Sequence, residues 1–138
     1  MKTEEICALA VQQAGTALRY VPEKLITEEL CKLAIQQGGT LLHVPEKYKT
    51  KDLYNMAVKN KGYALLHVPE KYKTKKLCLL AMKENIFFLS TIPEKYRTKS
   101  LCKKKIKEDG LMLEHILENK KTKEICTLAI LQNGYALK

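Results

Sequence analysis

The chain has no tryptophan, and among its 138 residues only two phenylalanines, two serines and two aspartates. An enzyme needs a nucleophile, acid or base held within hydrogen-bonding reach of partners. Ser90, Ser100, Asp52 and Asp109 recur in no pattern that would assemble one, so no catalytic residue and no enzymatic activity are expected. The glycines form no phosphate-cradling loop, and no nucleotide cofactor is expected either. No apolar run approaches the roughly 18 residues that would span a bilayer. In the opening MKTEEICALAV, two glutamates precede the apolar stretch, which is the wrong order for a secretory leader. A cytoplasmic protein without a transmembrane segment is the expectation. The five cysteines are odd in number and no two lie closer than 24 positions. That spacing excludes CxxC zinc motifs and argues against a disulfide framework.

What the chain does have is repetition. The string LLHVPEKYKTK occurs at 41–51 and again, letter for letter, at 65–75. Aligned on Thr3, Thr27, Thr50, Thr74, Thr98 and Thr122, the sequence falls into repeats of 24, 23, 24 and 24 residues, a fifth of 24, and an incomplete sixth. A fixed period in the range of about 20–50 residues is the signature of a stacked array. Each repeat has helix grammar. Threonine, taken as position 1, is a good N-cap. Acidic residues suited to the positive end of a helix follow in four repeats: Glu4 and Glu5, Glu28 and Glu29, Asp52, Glu124. Glycine at position 13 (Gly15, Gly39, Gly62, Gly110, Gly134) stands where a three-turn helix would take a left-handed cap. A shorter apolar segment comes next and runs into Pro-Glu-Lys-Tyr, where proline can start a turn but not continue a helix. The fold expected is all-α, a single domain over residues 1–138. It is a solenoid of six helical-hairpin repeats beginning near 3, 27, 50, 74, 98 and 122, the last incomplete.

On a helical wheel, positions 4, 5, 7, 8 and 9 cover an apolar arc of roughly 200°, wide enough to be buried on two sides. Positions 2, 3, 6 and 10 form the polar face. Equivalent α-carbons of stacked repeats lie on the order of 10 Å apart, beyond the roughly 7 Å limit for a disulfide. Cys7, Cys31, Cys78, Cys102 and Cys126, all at position 5, are therefore expected to be small core residues, and no metal site is expected from them. His43, His67 and His115 share one column and cannot converge on one zinc, whose ligands sit about 2 Å from the metal. Tyr48, Tyr72 and Tyr96 form a further column, read as packing rather than as a platform for bases.

These letters resemble a known repeat family, of the form ExxLxAVxxNGxALxYV, catalogued as domain of unknown function 4116. The match runs from Glu124 through Leu137 as Glu-Ile-Cys-Thr-Leu-Ala-Ile-Leu-Gln-Asn-Gly-Tyr-Ala-Leu, and from Ile6 through Tyr20. The resemblance covers essentially the whole chain and brings no catalytic residue with it. It implies a place in bacterial or viral effector-type proteins, with delivery into a host cytosol.

The formal charge is +10, and along the six repeats it runs 0, 0, +3, +3, +3 and +1. The excess sits on the polar arc. Lys51 and Lys59, then Lys75 and Lys83, then Lys99, Lys103 and Lys107 are expected to line up as a basic ridge, the candidate binding surface. Its expected partner is a protein with an acidic surface, and nucleic acid or an anionic surface is the second reading. The fifth repeat breaks the rule with Lys104 and Lys105 at positions 7 and 8. A buried unpaired ammonium would cost several kcal/mol. A local kink that lets the Lys105 stem reach water is thus the expectation, with a lysine facing a partner's acidic group as the alternative. In the fourth repeat Phe87 and Phe88 follow the position that elsewhere holds glycine, as core filler or as an apolar contact patch. Both ends keep the apolar pattern, so end-to-end self-association is a further expectation.

Overall fold

The computed structural model describes residues 3–84, 91–116 and 118–134. Phe87 and Phe88 lie outside these. All regular structure among the described residues is helical. Six short α-helices carry the six threonine starts: α1 (Glu4–Gln13), α2 (Glu28–Gln36), α3 (Lys51–Asn60), α4 (Lys75–Glu84), α5 (Lys99–Glu108) and α6 (Lys123–Gln132). Each begins as the threonines predict. The hydroxyl oxygens of Thr3, Thr27, Thr50, Thr74, Thr98 and Thr122 accept from the amide three residues on, at 3.2 to 3.4 Å. Each such cap is worth about 1 kcal/mol.

The helix ends differ from expectation. The position-13 glycines are not left-handed caps, since among the described residues only Gly38 has positive φ, at 78°. α1, α3, α5 and α6 instead stop at a residue in extended conformation (Ala14, Lys61, Asp109, Asn133), and the glycine comes after it. The glycine is needed for a different reason. A Cβ on Gly15 would lie 2.0 Å from the Ala34 carbonyl oxygen of α2, and one on Gly110 would lie 2.5 Å from that of Ala129 in α6. Backbone meets backbone here, which only glycine permits.

The second segment of each hairpin is a 3-10 helix rather than a short α-helix: Gly15–Tyr20, Gly62–His67 and Gly110–His115. In the 23-residue repeat it shrinks to Leu41–His43, and the left-handed Gly38 absorbs the change of path. Pro-Glu-Lys-Tyr then forms its own single 3-10 turn, as at Glu46–Tyr48, Glu70–Tyr72 and Glu94–Tyr96.

The chain divides into two compact units, 1–84 and 85–138. In the N-terminal unit α1 packs on α2, α2 on α3 and α3 on α4, with Gly15–Tyr20 also against α2 and Gly62–His67 against α4. The core is the apolar arc read from the wheel: Leu30, Leu53 and Leu77 at position 4, Ala34, Ala57 and Ala81 at position 8, and Val11, Ile35, Val58 and Met82 at position 9 are all buried. Fully burying one such large side chain is worth about 1.5–3 kcal/mol. Tyr54 stands where other repeats have cysteine and is buried, its ring centroid 5.3 Å from that of Tyr72. In the C-terminal unit α5, α6 and Gly110–His115 enclose Cys102, Ile106, Met112, Leu113, Ile125 and Ala129.

Candidate functional site

The polar positions of α3 and α4 help to form a concave surface in the N-terminal unit. Lys51 and Lys59 are both exposed on α3, with Asn55 between them. Because α4 packs alongside, these side chains become one wall of a groove of about 750 Å³, completed by Thr74, Lys76, Leu77 and Leu80. Its floor is apolar: Leu77 is buried, and Met56 and Leu80 are half-buried. Lys51, Lys59 and Lys76 rim it, and none of the three forms an ion pair within the described residues. On α2 the balance is different, because Lys32 is neutralised by Glu28 at 2.6 Å. Along the described α-helices, basic charge without an ion-pair partner therefore begins at α3. Lys75 and Lys83 do not reach this groove. They edge a second hollow of about 520 Å³ on α4, together with Lys76, Leu79 and Leu80, and Leu79 is exposed there.

In the C-terminal unit, Lys99, Lys103, Lys104 and Lys107 line a hollow of about 460 Å³ along α5 with Ser100 and no apolar side chain. Lys103 is tied to Glu124 of α6 at 2.6 Å, while Lys99, Lys104 and Lys107 have no carboxylate partner among the described residues. Lys105 corrects the expectation of a kink. α5 runs unbroken from Lys99 to Glu108, Lys105 is buried within it, and its ammonium pairs with Glu108 one turn on. The charge is answered inside the protein by Glu108.

The Pro-Glu-Lys-Tyr-Lys strings make contacts within the chain. Glu46 pairs with Lys49 at 3.0 Å and Glu70 with Lys73 at 2.7 Å. Lys47, Lys71 and Lys95 place their ammonium groups 4.9 to 5.0 Å from the ring centroids of Tyr48, Tyr72 and Tyr96, within the range of cation–π attraction. The Tyr48 hydroxyl donates to the Ile26 carbonyl one repeat back, at 2.9 Å. Where the fifth repeat has Lys120 instead of tyrosine, the ammonium donates to the Glu94 carbonyl at 3.2 Å. Of the histidines, His67 is exposed, His43 is half-buried, and His115 Nε2 lies 3.1 Å from a Glu114 carboxylate oxygen.

The cysteines are unbonded, and all but Cys126 are buried. Burial pushes the Cys31 thiol up to about 11, with Glu28 adding to the rise and Lys47 opposing it. The Cys102 thiol is likewise raised, by burial first. Thiols held protonated in this way are poor nucleophiles and poor metal ligands.

The sequence reading found Lys51 and Lys59 but missed Lys76, Met56 and Leu80. Met56 and Leu80 stand at position 7, on the edge of the apolar arc, and that edge was the available signal. Among the described residues no helix is long and apolar enough to cross a membrane. Comparison with family models, curated proteins and solved structures finds no match to this chain.

Proposed function

We propose that the chain is a non-enzymatic helical-repeat scaffold, its six repeats stacked as a solenoid, that grips an acidic, amphipathic segment of a partner protein in the groove between α3 and α4. The observation that carries this reading is the pairing of an apolar floor (Met56, Leu77, Leu80) with a lysine rim (Lys51, Lys59, Lys76) that has no counter-charge of its own. An apolar trough takes the apolar face of a helix. The lysines select acidic flanks and speed encounter more than they add raw affinity. The cytosol, including that of a host cell, is the setting in which such an effector-type scaffold would work.

The test is titration of a synthetic Leu/Glu amphipathic helical peptide against the protein and against a variant with Lys51→Glu, Lys59→Glu and Lys76→Glu. At least tenfold weaker binding by the variant, with only modest weakening in salt, is expected. Equal binding by the variant, or equal binding of a peptide with its leucines replaced by serine, would refute the reading.

A second reading is favoured by one feature. The hollow on α5 is lined by lysines and Ser100 alone, which suits a phosphate backbone better than a peptide. Binding of that kind would fall log-linearly and steeply with salt, one counterion term per contacted phosphate. A shallow salt slope for duplex nucleic acid would dismiss it.

A further inference from the structure

Gly15 and Gly110, at position 13, make a contact that two of the chain's surfaces leave unfulfilled. Gly15 seats its backbone on the carbonyl of Ala34, and Gly110 on that of Ala129. Both alanines stand at position 8 of the helix that follows. In these two repeats the glycine docks on the position-8 alanine of the next, whereas Gly39, in the 23-residue repeat, lies against Ala34 of its own repeat and the backbone of Gly15. Gly134 shares the backbone approach and the letters of such a donor. Asn133 before it has φ −153° and ψ 113°, close to Ala14 before Gly15 and Asp109 before Gly110. The letters Gly134-Tyr135-Ala136-Leu137 repeat Gly62-Tyr63-Ala64-Leu65. Yet a Cβ on Gly134 would meet nothing within 4 Å. Beside it Ile130 and Leu131 are 40% and 79% exposed, whereas at Ile130's position Ile35, Val58 and Met82 are at most 2% exposed.

The matching receiver is α1. At position 4, Leu30, Leu53, Leu77 and Ile125 are 8%, 1%, 3% and 0% exposed, but Ile6 is 54% exposed. At position 8, Ala34, Ala57, Ala81 and Ala129 are buried, but Ala10 is exposed. Leu9 beside it is 59% exposed. The face that α2, α4 and α6 each use to receive a glycine-led 3-10 segment is present on α1 and uncovered.

We infer that the chain self-associates head to tail, Gly134 of one copy seating on the Ala10 carbonyl of a second copy, with Ile6 and Leu9 of that copy covering Ile130. The occupant is fixed by continuity: the contact reproduces between copies the one that Gly15 makes with α2 and Gly110 with α6. A head-to-tail contact is heterologous, so it does not stop at a dimer. The inference does not rest on the acidic-segment reading, which concerns α3 and α4.

The decisive experiment is mass measurement by light scattering or sedimentation across a concentration series, with three samples. The unmodified chain should rise beyond twice the monomer mass. Ala10→Arg, which blocks the receiver, and Gly134→Val, which blocks the donor, should each stay monomeric. Their equimolar mixture should stop at the dimer, because one variant keeps only a donor and the other only a receiver. Circular dichroism should show both variants as helical as the parent, since each substitution falls at an exposed residue, and Leu9→Glu replaces Ala10→Arg if the latter fails that check. A parent that stays monomeric at the highest concentration, or association that survives Gly134→Val, would overturn the inference.

Discussion

A single residue type, glycine, shows what a sequence pattern can and cannot carry. The column at position 13 was visible at once, and so was its proximity to a helix end. Periodicity says only that a Cβ is excluded, and two physical causes exclude one: positive φ, or another backbone too close. Only Gly38, outside the column, is of the first kind. Gly15, Gly39 and Gly110 are of the second, each within 2.7 Å of a carbonyl oxygen at its Cβ position. The prediction belongs to this scale. Gly15→Ala should destabilise the protein by about 1–3 kcal/mol, the ordinary cost of overpacking. Gly134→Ala, with open space around it, should stay within about 0.5 kcal/mol. Urea midpoints for the two variants give the comparison, and equal losses would show that something other than the close approach selects glycine.

At the scale of the element, the α-helices were legible because two independent signals agreed, a threonine cap and an apolar arc of the right period. The 3-10 segments were legible as segments but not by type. Six residues with three or four apolar letters fit a period of 3.0 as well as one of 3.6. α5 shows how an element accommodates a letter that breaks its pattern. Position 8 is the centre of the buried arc, and the helix stays unbroken with Lys105 there, its ammonium paired with Glu108 one turn on. Replacing a buried pair with an apolar group of similar volume is often neutral or better, whereas removing one partner leaves a buried charge. Lys105→Met should therefore leave the thermal midpoint unchanged or raise it. Glu108→Gln should cost about 1–2 kcal/mol, less than a fully buried pair because the Glu108 side chain is 43% exposed. Thermal unfolding of the pair of variants checks both signs.

At the scale of the whole molecule, half of the groove was readable and half was not. Lys51 and Lys59 lie on the polar arc of one helix and were found from the wheel. Lys76, Met56 and Leu80 matter only because α4 lies beside α3, and no wheel of a single helix contains that fact. Within the N-terminal unit the stacking of α1 on α2, α2 on α3 and α3 on α4 makes stability a sum of neighbour terms, weakest where a neighbour is missing. In the monomeric Ala10→Arg variant, amide hydrogens of α1 should exchange faster than those of α2 and α3, as followed by mass spectrometry, and uniform protection would contradict this account. The second repeat adds a consequence for how such a chain changes over time. It is one letter shorter than its neighbours, and the change falls between the end of α2 at Gln36 and His43, leaving Val44 as buried as Val21 and Val68. Length is thus tolerant in that arc and rigid elsewhere, so insertions that survive should gather there, and an engineer lengthening or trimming this protein has the same place to cut.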